Sequence, residues 1–437
     1  MSLDILKLLL TFIPVCILYY LLVYKMHDKL EKIYTSIIFW GLYFYGGIGS
    51  AATTVQPVYT FYFLVFLLAF VFFYRLRYIF PNAVKNSLHK FYAADGKTFF
   101  DGNFSTSLFI WIYLFICFLS LLYPTIKVGN LIAPPAPDVL SALLSSIDKS
   151  TENADIILKL MFYARLLFLP LYYLSLYKFS AKPLLLFALI FLPLYFDYCS
   201  SSYVGRGMIL IDFALWLLVV YKFNKKIRKP LIISTVVIAP LLLAFFYTYS
   251  VARLGGSADL SLNSDVIGKL FYTEINFPES FQTVVESGRH INFAGFLIWI
   301  FTLPFPKFIF GSLLNVPIIN FELSEIVLNL DRNDPNFWVK LTGYVTESWY
   351  IFGTYFFWVE ALIVAWIAKA IFYFLRRIKG SEILIFFVAI QFGFMFSRAG
   401  LGAVLPLLTN GFLAIYFYFA IKLRYAQKKS SPSANAM

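Results

Sequence analysis

Three arginines stand where polar connections meet apolar runs on the lysine-poor side of the chain. They are Arg206 in Ser202-Tyr203-Val204-Gly205-Arg206-Gly207, Arg253 just after the apolar run 230–250, and Arg398 in Phe396-Ser397-Arg398-Ala399-Gly400. Basic residues of membrane proteins gather in cytoplasmic loops, so arginines on the other side need a reason. Each could snorkel to lipid phosphate on its own. Three at one surface, two of them beside glycines that admit close backbone or ligand approach, point instead to a shared anionic ligand. A guanidinium matches phosphate oxygens with a rigid bidentate fork, which makes a lipid diphosphate the natural ligand.

The acids and bases are fewer. Glu347 lies in Leu341-Thr342-Gly343-Tyr344-Val345-Thr346-Glu347-Ser348-Trp349-Tyr350-Ile351-Phe352-Gly353, and helical spacing would set Gly343, Tyr344, Glu347 and Tyr350 on one face. A carboxyl held against apolar surface has its pKa raised and can serve as a general base, or it can pair with one of the arginines. His290, beside Arg289, is the only histidine of this side, since His27 and His89 fall in basic connections. It is either a second candidate base or a solvated loop residue. Arg165, midway through an apolar run, needs an internal partner such as Asp212 or Glu360, or is itself a ligand group. Outer aromatics, Tyr272, Trp338, Tyr344 and Trp349 among them, have rings on which sugars could stack.

These residues need elements to hold them. Of 437 residues, 61% are hydrophobic and 14% charged, a composition that excludes ordinary soluble domains. Continuous apolar runs such as 63–74 exclude a β-barrel, so the expected class is an all-α polytopic membrane protein. Eleven spans of about 20 residues each are predicted, with a range of 10 to 14. They fall at 8–24, 33–50, 58–74, 107–123, 156–177, 183–198, 207–221, 230–250, 354–375, 381–396 and 401–421. The basic turns put the C-terminus inside and, with an odd span number, the N-terminus outside. The net charge of +13 resides mainly in those turns and marks orientation, not nucleic-acid binding.

Residues 1–250 thus form an N-terminal bundle of about eight spans, 251–353 one large external loop, 354–421 the closing helices and 422–437 a polar cytoplasmic tail. Within the loop, 291–303 is apolar but too short to cross, and predicts a re-entrant or interfacial helix. A second helix is predicted over 337–349, leading into the next span. Cys16, Cys117 and Cys199 sit in or at the end of apolar runs without metal-ligand spacing, so no disulfide or zinc site is expected. Nucleotide-binding loops, metalloprotease motifs and serine-hydrolase motifs are missing, and no cofactor is expected.

With these residues in place, the chain resembles the bacterial O-antigen polymerase (Wzy-type) family. The resemblance rests on the span layout with one large late external loop, on Gly205-Arg206-Gly207 opening a span, on the stretch Thr342 to Gly353 before a span, and on Ser397-Arg398-Ala399-Gly400. It departs in Trp349-Tyr350-Ile351-Phe352, where a more polar run would be expected. The resemblance implies a glycosyltransferase of the membrane-embedded GT-C type at the outer face of the bacterial cytoplasmic membrane. The donor would be a glycan on undecaprenyl diphosphate and the acceptor a repeat unit on the same lipid. A chain-length regulator and a lipid-linked oligosaccharide flippase would be its partners.

In that reading Arg206, Arg253 and Arg398, with Arg165 and Arg289, stabilise the departing diphosphate. Glu347 is the base with His290 as substitute, and Tyr344 and Trp338 meet sugars. Two other functions fit the layout. An O-antigen ligase, transferring glycan to lipid A core, shares the donor and would use a loop histidine such as His290. A flippase or other transporter would instead line a pathway with charges through many spans.

Overall fold

The computed structural model describes residues 5–51, 57–76, 107–136, 155–202, 204–253, 276–291, 293–302, 318–332, 334, 337–376, 378, 380–402, 404, 405, 408, 411 and 415. Among these residues the chain is predominantly helical, with no strand. In the first half the helices are α1 (Ile5–Val23), α2 (Lys29–Ala51), α3 (Pro57–Arg75), α4 (Ser107–Leu119), α5 (Ile156–Leu176), α6 (Pro183–Ser201), α7 (Arg206–Phe223) and α8 (Arg228–Arg253). In the second half come α9 (Phe277–Ser287), α10 (Phe293–Thr302), α11 (Ile319–Leu328), α12 (Tyr344–Phe356), α13 (Trp358–Leu375) and α14 (Glu382–Ile390). A π-helical turn, Gln391–Phe396, continues α14.

Five helical segments are long and apolar enough to cross a membrane: Pro57–Arg75, Ile156–Phe179, Pro183–Ser201, Trp358–Leu375 and Glu382–Gly402. A sixth crossing is available if Gly207–Phe223 and Lys225–Val237 form one broken span, for their axes meet at 110°. The chain is therefore a helical membrane protein. The sequence predicts two separate spans at 207–221 and 230–250, and this bend at the basic turn is what it does not reveal. Thr11–Val23 and Ser107–Leu119 are apolar but short.

The bundle is organised around α14. Every residue from Ile383 to Ile390 is buried, as expected of a helix that is apolar all round. It packs on α2, α5 and α7. The π turn that follows is pressed against α2, where a Cβ on Gly41 would fall 2.2 Å from the Gly393 carbonyl oxygen. Small residues permit such backbone approach between helices.

Beside it, α3 packs along α13. Pro57 starts α3 at a position where the missing N–H costs nothing. Tyr59, Tyr62, Phe63, Phe66, Phe70 and Tyr74 then recur at helical spacing on its buried face. They meet a face of α13 kept low by Ala361, Ala365 and Ala368. Polar ties fix neighbouring helices: the Tyr34 hydroxyl donates to the Ala368 carbonyl at 3.0 Å, and the Tyr173 hydroxyl to Asp212 Oδ1 at 3.1 Å.

Within 251–353, the described residues beyond α8 form α9, α10, α11 and the start of α12 with irregular stretches between them. The short apolar helix predicted over 291–303 is α10, and 303 itself lies outside the described residues, as does Tyr272. The helix predicted over 337–349 starts later, at Tyr344. Gly343 adopts φ 79° and ψ 156°, which no helix accommodates, so 337–343 stays irregular. The span expected from 354 begins at Trp358, after a kink within α12 at Gly353, which adopts φ 72° and ψ −175°.

Candidate functional site

Glu347 occupies the first turn of α12 and is 1% exposed. Two glycines put it there. Gly343 caps α12, and its N–H donates to the Arg398 carbonyl at 3.0 Å, fastening the start of α12 to the end of the central helix. Gly400, at φ 66°, turns that end so closely over the carboxyl that a Cβ there would lie 1.6 Å from Glu347 Oε2. The Gly402 N–H donates to Glu347 Oε1 at 3.3 Å, and Oε2 has no hydrogen-bond partner among the described residues. Burial pushes the carboxyl up to about 8, against the pull of the Leu401 and Gly402 amides.

A second carboxylate shares this environment. Glu360, in the first turn of α13, is fully buried, and neither oxygen has a hydrogen-bond partner among the described residues. The Ser348 hydroxyl beside it is committed to the Phe357 carbonyl, a bond that folds α12 back on the start of α13. The two carboxyl groups interact electrostatically. An ionised carboxylate without a partner in such surroundings costs several kcal/mol, so Glu347 favours holding its proton.

Arg398 follows the π turn, a helical irregularity common at functional sites. Its guanidinium lies 5.8 Å from the Tyr45 ring centroid, and Nη1 comes within 3.3 Å of where a Cβ on Gly207 would stand. The first turn of α7, which Arg206 opens after the cap at Gly205, therefore adjoins Arg398. Three stretches distant in sequence, around 206, 347 and 398, meet at one place.

Other expected residues lie elsewhere. Arg165 is not paired with Asp212 or Glu360, as its position in sequence suggests; it forms a two-pronged bond to Asp197 of α6, with both contacts at 2.6 Å. That pair ties α5 to α6 and satisfies the guanidinium, which removes the need for a ligand there. Tyr344 has no face open to a sugar: it is 1% exposed, packs against Phe66 and Phe396, and donates its hydroxyl to the Leu42 carbonyl at 3.2 Å. Trp349 is buried likewise, whereas Trp338 is exposed on the irregular segment before α12.

His290 is exposed, with its ring 4.3 Å from that of Trp349 and Nδ1 3.4 Å from the Tyr350 carbonyl oxygen. No hydrogen bond joins it to Glu347 among the described residues. Arg289 is exposed beside it. The Arg206 and Arg253 side chains lie outside the described residues; Arg253 closes α8. Sequence reasoning missed Glu360 as a member of this site and Glu322, which accepts from the Tyr350 hydroxyl at 2.6 Å. Glu360 opens an apolar helix three residues after Phe357, and only the fold-back at Gly353 carries it toward Glu347.

All three cysteines are free, and no group of metal ligands occurs among the described residues. Compared with protein-family models, with curated proteins and with solved structures, the chain matches none.

Proposed function

We propose that this chain is a membrane-embedded glycosyltransferase that joins lipid-diphosphate-linked oligosaccharide repeat units at the outer face of the bacterial cytoplasmic membrane. An eleven-span, GT-C-like architecture belongs to the same reading. The observation that carries it is the meeting of a buried carboxyl, Glu347, with the Arg398 segment and the first turn of α7. Such a reaction needs a base near the acceptor hydroxyl and cationic stabilisation of a departing diphosphate.

The acceptor hydroxyl oxygen bonds to the donor's anomeric carbon while the bond from that carbon to the diphosphate oxygen breaks. The electron pair leaves with the diphosphate beside Arg398, Arg206 and Arg253, and the hydroxyl proton passes to ionised Glu347. Because the carboxyl lies beneath Gly400, this chemistry requires the 399–402 turn to shift when substrate binds. Burial holds the Glu347 proton affinity high, so the base is used in its minority ionised form at neutral pH and its strength is correspondingly greater. The donor is a glycan chain on undecaprenyl diphosphate. The partners in this reading are the lipid-linked flippase that supplies repeat units and a chain-length regulator.

The test is gel analysis of surface glycan from a strain lacking the gene, complemented with wild type, Arg398→Ala, Arg206→Ala and Glu347→Gln at equal membrane abundance. Polymerisation predicts that deletion collapses the ladder to single repeat units and that the variants restore it poorly. Long glycan accumulating on carrier lipid would identify a ligase and turn attention to His290. Absence of any glycan at the outer face would identify a flippase.

A further inference from the structure

At the end of the bundle where α1 and α3 finish and α2 begins, a cavity of about 740 Å³ opens. Its lining brings together Lys25, Lys29, Arg75, Lys369 and Arg376, five cations, with only two carboxylates, Asp28 and Glu31. Arg376 pairs with Asp28 at 2.9 Å. Lys369 donates to the carbonyls of Tyr74 at 2.7 Å and Leu76 at 3.0 Å, and Arg75 to that of Tyr24. Carbonyls at helix ends orient a cation without cancelling its charge, and the Arg75 guanidinium keeps further donors for a ligand.

Two more features point inward. The Tyr74 hydroxyl faces this lining from a residue that is 1% exposed, beside the Glu31 carboxyl. Lys25 holds a left-handed backbone, φ 61°, at the end of α1, a conformation that a lysine rarely adopts. Burial also raises the Glu31 carboxyl above its ordinary range, which weakens the acidic share of the lining.

We propose that this cavity binds a phosphate-bearing anion, supplied either as the headgroup of an anionic lipid in the adjoining leaflet or as a soluble phosphate compound. The space is several times that of one phosphate group. Basic pockets between helix ends hold anionic headgroups through this combination of surplus charge and convergent donors. The site is separate from that at Glu347 and does not rest on the proposed function.

The test uses the full chain in phosphatidylcholine nanodiscs containing a minor share of phosphatidylglycerol, with retained lipid counted by native mass spectrometry. Lys25→Gln/Lys29→Gln should lower the affinity for phosphatidylglycerol by roughly 5-fold per cation removed. Tyr74→Phe should lower it with no change in charge. The exposed pair Lys225→Gln/Lys226→Gln, in the turn between α7 and α8, should leave it unchanged. Equal losses from both lysine pairs, or no retained phosphatidylglycerol and no pyrophosphate binding, would overturn the proposal. A second arm titrates inorganic pyrophosphate into neutral nanodiscs; binding that the Lys25/Lys29 variant abolishes would assign the site to a soluble phosphate compound.

Discussion

The two ends of this bundle treat charge in opposite ways. Around Glu347 and Glu360, carboxyl groups are shut away from water with three of their four oxygens lacking hydrogen-bond partners among the described residues. Around Lys25, Arg75 and Lys369, cations face an open cavity, and Arg75 and Lys369 rest on helix-end carbonyls. The basic end can relax: a partner lost there is replaced by water. The acidic end cannot, and its state must be set by protonation and by glycines that hold the chain over the carboxyl. At the acidic end, glycines at positive φ, Gly343 and Gly400, hold the chain over the carboxyl, whereas at the basic end charge faces solvent.

The sharpest way to break this contrast is Gly400→Ala. The added methyl would collide with Glu347 Oε2 in a backbone conformation that alanine disfavours. We expect loss of most folded protein in detergent, a penalty of about 4 kcal/mol or more. Gly129→Ala, where an added Cβ meets nothing within 4 Å, should unfold like wild type. A normal unfolding temperature for Gly400→Ala would show that the turn over Glu347 is not closed.

Next is the pH dependence. The folded Glu347 pKa lies above the unfolded value, so the folded state binds the proton more tightly. Its contribution is fully present below about pH 4.5 and is lost as pH rises through about 8. Across that window the wild type should lose stability on the order of a few kcal/mol, while Glu347→Gln should lose much less. Thermal unfolding at a series of pH values measures both, and parallel curves would refute a buried, protonated Glu347.

Asp197→Asn should cost about 1 to 3 kcal/mol, less than a fully buried pair because the two side chains are 25% and 30% exposed. Replacing both Arg165 and Asp197 with leucine should recover part of that loss. If the double variant is as weak as the single one, the pair does more than neutralise itself. At the basic end, Arg376→Gln breaks the bond to Asp28 but should shift stability by less than about 1 kcal/mol, since Arg376 is half exposed there. A larger effect would make the two ends alike.

Much of this was legible in the chain. The runs 58–74, 156–177, 183–198 and 381–396 are long and predominantly apolar, and each falls in a helix long and apolar enough to cross a membrane. The short helix α10 was legible because proline and lysine follow a run too brief to span. Glu347 is singled out in the sequence by its lone place among small and aromatic residues, and its burial is what the structure adds. The partner of Arg165 was not: several acids in neighbouring helices are equivalent in sequence, and only the packing of α5 on α6 selects Asp197. Tyr344 reads as an interfacial aromatic, yet Phe66 and Phe396 enclose it.

By itself, then, the sequence determined a helical membrane protein, its basic turns, and the residue types able to hold a diphosphate or move a proton. Local composition decides these, because each apolar helix satisfies its own backbone and each basic turn is excluded from the bilayer independently. Only the tertiary structure decided that the start of α7, the first turn of α12 and the end of the central helix meet. Only it buried Glu360 in the environment of Glu347. Both results depend on contacts across more than a hundred residues or on single glycine dihedrals, at Gly343, Gly353 and Gly400, whose values no periodicity encodes.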